Sequence, residues 1–339
     1  MNIKIWQWIS PLTATTIAAI ATISCSQSPV QDRQPIAIDG SSTVYPITEA
    51  IAQAYQDRVS DAVNITVNFS GTGGGFDKFC AGETDINNAS RPIQNDEMAA
   101  CKQAGVAYIE LPVAFDALTV VVNDRNTWAA DITLDELKTI WEKAAQSKIL
   151  KWNQVRPTWP DRPLKLYGPG KDSGTYDYFT EAVLGSSGVS RDDYTASEDD
   201  TVLVEGVSND PDALGYFGYA YYEQQAAAMK AIAVDSGRGA ISPSRETVEN
   251  NQYQPLSRPL FIYINLSEAQ KNPAMKEFVD FYLDNAPQIV NTIGYVPLPK
   301  EGYNLIKINF NRGKVGTVFG GKSQFNLTIG ELLKQEAQF

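Results

Sequence analysis

The 339-residue chain contains no histidine and only three cysteines. The absence of histidine excludes Ser-His-Asp and Cys-His catalytic groups and removes the commonest protein ligand of zinc. The cysteines form no Cys-x-x-Cys pair, so a zinc or thiol redox motif is also missing. We therefore expect no catalytic residue of these classes, no resident metal and no cofactor.

Positive charge is also scarce. The chain has 28 Lys and Arg against 40 Asp and Glu, a formal net charge of -12, and no run of basic residues. Nucleic-acid binding requires a basic face, so this class of function is excluded. The composition is 43% hydrophobic, which is enough to bury a sizeable core, and the length suits two domains of ordinary size.

The first 24 residues differ in kind from the rest. Lys4 precedes an apolar run from Ile9 to Ile23, and Cys25 follows. This order predicts a signal peptide over residues 1–24, lipid attachment at Cys25 and a linker over residues 25–35. Thr22 departs from the usual lipidation sequence, which leaves plain cleavage open. An uncleaved membrane anchor is the other alternative, although the run is short for a span of about 20 residues.

An exported chain can form disulfides, and Cys80 and Cys101 remain once Cys25 is assigned to the anchor. We predict that these two cysteines pair, closing a loop of about 20 residues that would stabilise the fold by about 3 kcal/mol. Two buried free thiols are the alternative.

Strand-like and helix-like segments alternate along the exported part. Strands are predicted at residues 36–38, 63–69, 108–115, 117–122, 164–167, 231–234 and 260–264, and helices at residues 48–58, 96–104 and 276–283. The tail from Asn309 to Phe339 suggests a hairpin followed by a helix. The pattern is that of an α/β protein.

Three turns rich in Gly, Ser and Thr follow strands and precede helices. They lie at residues 40–44, 70–76 and 172–175. Such turns present backbone N–H groups and hydroxyls at a helix N-terminus, which suits a small oxyanion. A nucleotide-binding P-loop is the competing interpretation of the second turn, but its Gly-Lys-Ser/Thr ending is absent.

Six strings in one order make the chain resemble the phosphate-binding proteins of bacterial ABC-type phosphate importers, from Pro35 to about Leu298. The strings are Asp-Gly-Ser-Ser-Thr-Val-Tyr-Pro, Ser-Gly-Thr-Gly-Gly-Gly-Phe, Phe-Cys-Ala-Gly-Glu-Thr-Asp-Ile, Asn-Ala-Ser-Arg-Pro-Ile, Tyr-Gly-Pro-Gly-Lys-Asp-Ser-Gly-Thr and Gly-Tyr-Val-Pro-Leu-Pro. No single string is specific, but their common order is.

The resemblance implies a two-lobed periplasmic-binding-protein fold of type II, crossed twice by the chain, with the anion in the cleft between the lobes. We place the crossings near residues 115–121 and 257–261. Residues 36–115 and 261–339 would then form lobe 1 with a C-terminal extension, and residues 116–260 would form lobe 2.

The resemblance also implies the binding residues. The first turn contributes a hydroxyl and amides, the glycines of the second let the backbone approach the ligand, and the third adds further donors. The set is Ser42, Thr43, Val44, Gly71, Thr72, Gly73, Ser90, Ser173, Gly174 and Thr175. Ordinary helix capping is the alternative role for the first turn.

Arg91 stands where some family members have an aspartate, and the arginine that they place before the third turn is replaced here by residues 168–170. We predict that Arg91 grips phosphate bidentately; the alternative is a surface ion pair. Selecting phosphate over sulfate requires an acceptor for the phosphate proton. Asp116 is the first candidate and Asp172 the second, and an ion pair with Arg91 or a hinge turn is the alternative role for Asp116.

The expected function is capture of inorganic phosphate and its delivery to a membrane permease, by an exported monomer that catalyses no reaction. A phosphate-binding surface sensor or adhesion protein is a second possibility. A phosphomonoesterase is a third, although without histidine only carboxylates could serve its chemistry. The aromatic residues are interpreted as core rather than as a sugar platform.

Overall fold

The structure, a computed structural model, describes residues 34–59 and 63–339. The predicted signal peptide, Cys25 and all but the end of the predicted linker lie outside the described residues. Within the described ranges, no helix combines the length and the apolar character that crossing a bilayer requires.

Most strands join one large twisted sheet. Its order is β2-β1-β3-β12-β4-β8-β6-β7, with β9 also paired to β4, and β11-β10-β5 form a small second sheet. The strands are β1 Ile36–Gly40, β2 Ile65–Val67, β3 Ile86–Ala89, β4 Tyr108–Asn123, β5 Asp131–Thr133, β6 Lys165–Pro169, β7 Thr195–Ser197, β8 Ala213–Gly218, β9 Met229–Ala231, β10 Ala233–Asp235, β11 Ala240–Ile241 and β12 Ser257–Asn265.

Helices connect the strands and cover the sheet. They are α1 Tyr45–Arg58, α2 Gly71–Cys80, α3 Asn95–Ala104, α4 Leu134–Trp141, α5 Gly174–Phe179, α6 Asp200–Asn209, α7 Tyr219–Gln224, α8 Arg245–Glu249, α9 Leu266–Lys271, α10 Pro273–Ile293, α11 Lys300–Asn311 and α12 Ile329–Gln338. A π-helical turn at Thr180–Leu184 continues α5.

The long strand β4 belongs to two lobes. It pairs with β12 from Tyr108 to Ala117 and with β8 from Leu118 to Val122. We call β1, β2, β3, β12 and the first part of β4, with their helices, the first lobe; β6, β7, β8 and the rest of β4 belong to the second. The two-lobed α/β fold is thereby confirmed, and the predicted lobe boundaries fall within β4 and β12.

Parallel strands within each lobe end at the same edge. In the first lobe β1 is parallel to β2 and β3, and in the second β6 is parallel to β7 and β8. The turns that follow these strands are therefore collected at the carboxyl edge, where open α/β sheets bind ligands.

Each lobe has an aromatic-rich core. In the first, Tyr55 of α1 packs edge-on against Phe278 of α10 with ring centroids 5.5 Å apart. In the second, Phe179 stacks on Tyr216 at 3.9 Å, and Trp141 packs edge-on against both. These rings are buried, so they stabilise the scaffold rather than form a ligand surface.

The predicted disulfide is confirmed. Cys80 at the end of α2 is bonded to Cys101 in α3, and both residues are buried. The bond joins the helix that begins at the second Gly-rich turn to the helix after β3.

Three sequence predictions about elements need correction. The strands predicted at residues 108–115 and 117–122 are one strand, because Asp116 has a buried partner and does not interrupt β4. The strand predicted at 231–234 is divided between β9 and β10, which join different sheets. The tail forms α12 as expected but no hairpin within residues 312–328, where the chain pairs with β4 at a single bridge, Ile109 to Gly316.

Candidate functional site

The first turn, residues 40–44, joins β1 to α1 and reaches the second lobe through two hydroxyls. Thr43 Oγ1 lies 3.2 Å from Thr175 Oγ1, and Ser42 Oγ donates to Asp200 Oδ2 at 2.9 Å. The Val44 N–H, a predicted ligand donor, instead donates to the Ser41 carbonyl within the turn. All three residues are buried, so this turn lies inside the contact between the lobes.

The second turn begins α2 and meets the third turn at close range. Gly71 has φ +81°, and a Cβ there would lie 2.3 Å from the Asp172 carbonyl oxygen, so glycine is required for both reasons. The Gly73 N–H donates to this Asp172 carbonyl at 2.9 Å. Thr72 Oγ1 accepts from the Ser90 N–H at 3.2 Å and lies 3.3 Å from Ser90 Oγ.

The third turn begins α5. The Ser173 hydroxyl caps this helix by accepting from the Thr175 N–H at 3.1 Å. A Cβ at Gly174 would lie 2.4 Å from Thr72 Oγ1 and 2.7 Å from Ser90 Oγ, both in the first lobe. The absence of a side chain at Gly174 therefore allows the hydroxyls of the two lobes to meet.

Arg258 is a buried cation that contacts the first and third turns, and sequence reasoning missed it. Its guanidinium donates to Asp116 Oδ2 at 3.0 Å, to Thr175 Oγ1 at 2.8 Å and to Thr43 Oγ1 at 3.4 Å. Arg258 and Asp116 are partners in the antiparallel register of β12 and β4. The sequence did contain a clue to this pair, because Arg258 and Asp116 each lie in a segment that was predicted to cross between the lobes.

Arg91 has a different environment from the one predicted. Its Nε donates to Asp177 Oδ2 at 2.7 Å, and its Nη1 and Nη2 donate to the Glu97 carboxylate at 2.8 and 2.7 Å. The guanidinium thus contacts two protein carboxylates, so the bidentate grip on phosphate, which stays a prediction, would require Arg91 to exchange one of them for the anion. The structure makes Arg91 a link between the first lobe and α5.

Asp116 and Asp172, the two predicted proton acceptors, differ in burial. Asp116 is 1% exposed; burial raises its pKa, and the ion pair with Arg258 opposes that rise. The Asp116 carboxylate also accepts from the Tyr219 N–H at 3.2 Å. Asp172 is exposed and contacts the first lobe through its backbone carbonyl.

Two further carboxyl groups, again missed from the sequence, approach the first lobe: that of Glu198, between β7 and α6, and that of Asp200, the first residue of α6. Burial raises the pKa of Asp200, which accepts from Ser42, to about 7. Burial likewise raises the pKa of Glu198 to about 7, and a Cβ on Gly71 would lie 2.8 Å from its Oε2. The sequence did contain a clue to these two carboxyl groups, because residues 198–200 are three consecutive acidic residues.

The arrangement brings together most of the predicted residues. Four buried hydroxyls, from Thr43, Thr72, Ser90 and Thr175, come from both lobes, and a buried guanidinium lies among two of them. Hydroxyl and guanidinium groups donate hydrogen bonds, and the adjacent Asp116 offsets the positive charge. Such a site can bind an anion with several oxygens.

Comparison with known proteins agrees with this geometry. Residues 16–286 match the family model of the PBP superfamily domain. Protein SphX from Synechocystis sp. is 60% identical over 312 residues, 92% of this chain and 93% of that protein. The phosphate-binding protein PstS from Staphylococcus saprophyticus is 37% identical over 267 residues, 78% of this chain and 81% of that protein.

A solved structure gives the same result. The crystal structure of a possible phosphate binding protein from Planctomyces limnophilus superposes with a TM-score of 0.62 at 44% identity, covering 83% of this chain and 98% of that chain. The resemblance inferred from the six sequence strings is confirmed. Residues 287–339 lie beyond the family match.

Proposed function

Because the chain belongs to the PBP superfamily, and within it to the phosphate-binding proteins, we propose that it binds inorganic phosphate between its lobes. It then delivers the ion to the permease of an ABC-type importer. The observation that carries the proposal is the meeting of four buried hydroxyls from both lobes, two of which, those of Thr43 and Thr175, accept from Arg258. On binding, these hydroxyls donate to phosphate oxygens in place of their contacts with one another.

The charge balance of this site suits phosphate. Arg258 supplies one positive charge and Asp116 compensates it, so binding of a dianion depends mainly on neutral O–H and N–H donors at short range. The net negative charge of the whole chain does not oppose binding, because surface charge is screened beyond about 8 Å.

In this proposal the protein acts by binding and release, without a chemical step. An assay with a phosphomonoester tests this directly, since an esterase would release phosphate and a binding protein would not. We further propose that the chain is exported, held at the membrane by a lipid on Cys25, and monomeric. Incorporation of a labelled fatty acid into the wild type but not into Cys25→Ala tests the anchor.

Calorimetry of the wild type with phosphate and sulfate tests the binding function. We expect phosphate to bind far more tightly than sulfate. Thr72→Val, which removes one site hydroxyl, should weaken phosphate binding by about 1 to 3 kcal/mol. The matched control is Thr139→Val on α4, whose exposed hydroxyl bonds to the Asp135 carbonyl. Absence of phosphate binding by the wild type would refute the function.

Delivery to a permease needs a separate experiment. Phosphate uptake by cells that lack this chain should recover when the wild type is returned and should not recover with a variant that cannot bind phosphate. Full uptake without the chain would instead support the sensor or adhesion role.

A further inference from the structure

The segment between α11 and α12, residues 312–328, follows the outside of the first lobe. The Gly316 N–H donates to the Tyr108 carbonyl at 2.9 Å, and the Val318 N–H donates to Glu110 Oε1 at 3.2 Å. The Phe319 ring packs edge-on against Phe261 of β12 at 5.3 Å. These contacts anchor the start of the segment on β4 and β12.

Helix α12 holds the other end of the segment on the first lobe. Asn309 of α11 donates to the Glu336 carbonyl and carboxylate, each at 3.1 Å, and Leu332 is completely buried. The segment is therefore fixed on both sides, and the residues between its anchors are held at defined positions.

Between these anchors the segment reaches the second lobe. Phe325 packs edge-on against Tyr178 of α5, with ring centroids 5.2 Å apart. The Tyr178 hydroxyl donates to the carbonyls of Pro255 and Ser257, at 3.1 and 2.9 Å, where the chain re-enters the first lobe at the start of β12. One aromatic pair thus joins the C-terminal segment to the helix that begins at the third turn.

Tyr178 also contacts the candidate site. Arg258 lies over its ring, with the guanidinium carbon 5.8 Å from the ring centroid, within range of a cation–π interaction. Arg258 in turn donates to Thr175 at the start of α5. Phe325, Tyr178 and Arg258 therefore form a continuous series of contacts from the C-terminal segment to the site.

We propose that residues 312–328 are a strap that joins the two lobes, and that Phe325 is a positioning residue that acts on Arg258 through Tyr178. The proposal rests on the proposed phosphate-binding function. Because the strap is anchored on the first lobe and α5 belongs to the second, separation of the lobes disturbs the Phe325–Tyr178 contact. The strap therefore stabilises the closed arrangement and slows phosphate release.

Rapid dilution of the protein loaded with radioactive phosphate into excess unlabelled phosphate measures the release rate. We expect Phe325→Ala to release phosphate about two- to tenfold faster than the wild type, the range set by one aromatic pair. The association rate should change less, and Phe325→Leu should recover part of the effect. If Phe325 served only in folding, its removal would not accelerate phosphate release while changing the association rate less.

The matched control is Phe339→Ala, since Phe339 is 44% exposed and packs near Gly316 at the first-lobe end of the strap. A wild-type release rate for Phe325→Ala, or equal acceleration by Phe339→Ala, overturns the strap. Hydrogen exchange of the α5 amides without phosphate gives a second measurement: Phe325→Ala should accelerate it and Phe339→Ala should not.

These two measurements separate the strap from the function on which it rests. If the wild type binds no phosphate, the proposed function fails, and hydrogen exchange still decides whether Phe325 holds α5. If the wild type binds phosphate but Phe325→Ala leaves the release rate unchanged, only the strap is refuted.

Discussion

Arg258 and Asp116 face each other across the two strands that join the lobes, with 3.0 Å between Nη2 and Oδ2 and neither side chain exposed. A buried guanidinium requires a partner, and this one has a carboxylate on the neighbouring strand. The same guanidinium donates to hydroxyls from both lobes, Thr43 and Thr175. The pair therefore holds a positive group at the point where the lobes meet.

The first prediction concerns this arginine. Arg258→Ala should weaken phosphate binding by at least about 2 kcal/mol, or about thirtyfold, because a buried donor to the ligand is lost. Arg258→Lys keeps the charge but not the planar donors and should bind with intermediate affinity. Calorimetry measures both, and circular dichroism checks that the variants fold.

Arg91→Ala is the comparison that decides between the two arginines. We expect it to affect affinity less than Arg258→Ala, because Arg91 already contacts Glu97 and Asp177. A larger loss of affinity for Arg91→Ala would return the role of phosphate ligand to Arg91.

Arg91 was singled out from the sequence and Arg258 was not, and this difference shows what the sequence could and could not predict. The strand–turn–helix units and their Gly-Ser-Thr turns were recognisable because their signals are local. The pairing of Arg258 with Asp116 joins residues 142 positions apart, and it depends on the register of β12 against β4. An ion pair was the alternative expected for Arg91, but its partner in α5, Asp177, is 86 positions away and could not be identified from the local sequence.

The second prediction concerns closure of the lobes. A methyl group at Gly174 would overlap Thr72 Oγ1 and Ser90 Oγ, which belong to the opposite lobe. Gly174→Ala should therefore impede closure, weaken phosphate binding and reduce the compaction that phosphate causes in solution scattering. Gly330→Ala in α12 is the control, because the nearest atom to its added Cβ is 4.0 Å away. Wild-type compaction in Gly174→Ala would contradict the closed geometry.

The third prediction concerns pH and Glu110 on β4. Burial raises the pKa of Glu110 from 4.5 to about 8, while the Tyr263 hydroxyl donates to Oε2 at 2.5 Å. The folded state thus holds this proton over a pH range in which the unfolded state has released it. The stability linked to Glu110 is therefore present below about pH 4.5 and is lost as the pH rises towards 8.

Glu110→Gln should remove this part of the pH dependence. Urea unfolding at about pH 5 and about pH 9 measures the free energy of unfolding, and the difference between the two values should be smaller in the variant by an amount of the order of a few kcal/mol. Glu336, whose pKa burial raises to about 7, contributes with the same sign and also raises the pKa of Glu110, so Glu336→Gln should reduce the pH dependence of stability as well. Parallel pH profiles for the wild type and Glu110→Gln would show that Glu110 ionises normally in the fold.

The last prediction concerns selection of phosphate over sulfate. Phosphate at neutral to alkaline pH retains one P–OH, which can donate to a carboxylate, whereas fully ionised sulfate is repelled by one. Asp116 and Asp200 are both buried at the contact between the lobes, and Asp172 is exposed. Asp116 already accepts from Arg258 and from the Tyr219 N–H, while Asp200 accepts from Ser42.

Replacing the acceptor by asparagine should admit sulfate, because an amide can donate to an ionised oxygen. We expect Asp116→Asn to narrow the preference for phosphate, and Asp172→Asn, the same change at an exposed position, to leave it intact. Competition of sulfate against labelled phosphate measures the preference for each variant. If Asp200→Asn admits sulfate and Asp116→Asn does not, the acceptor is Asp200, and the role of Asp116 is restricted to holding Arg258. Sulfate rejection that survives in all three variants would show that discrimination does not depend on these carboxylates.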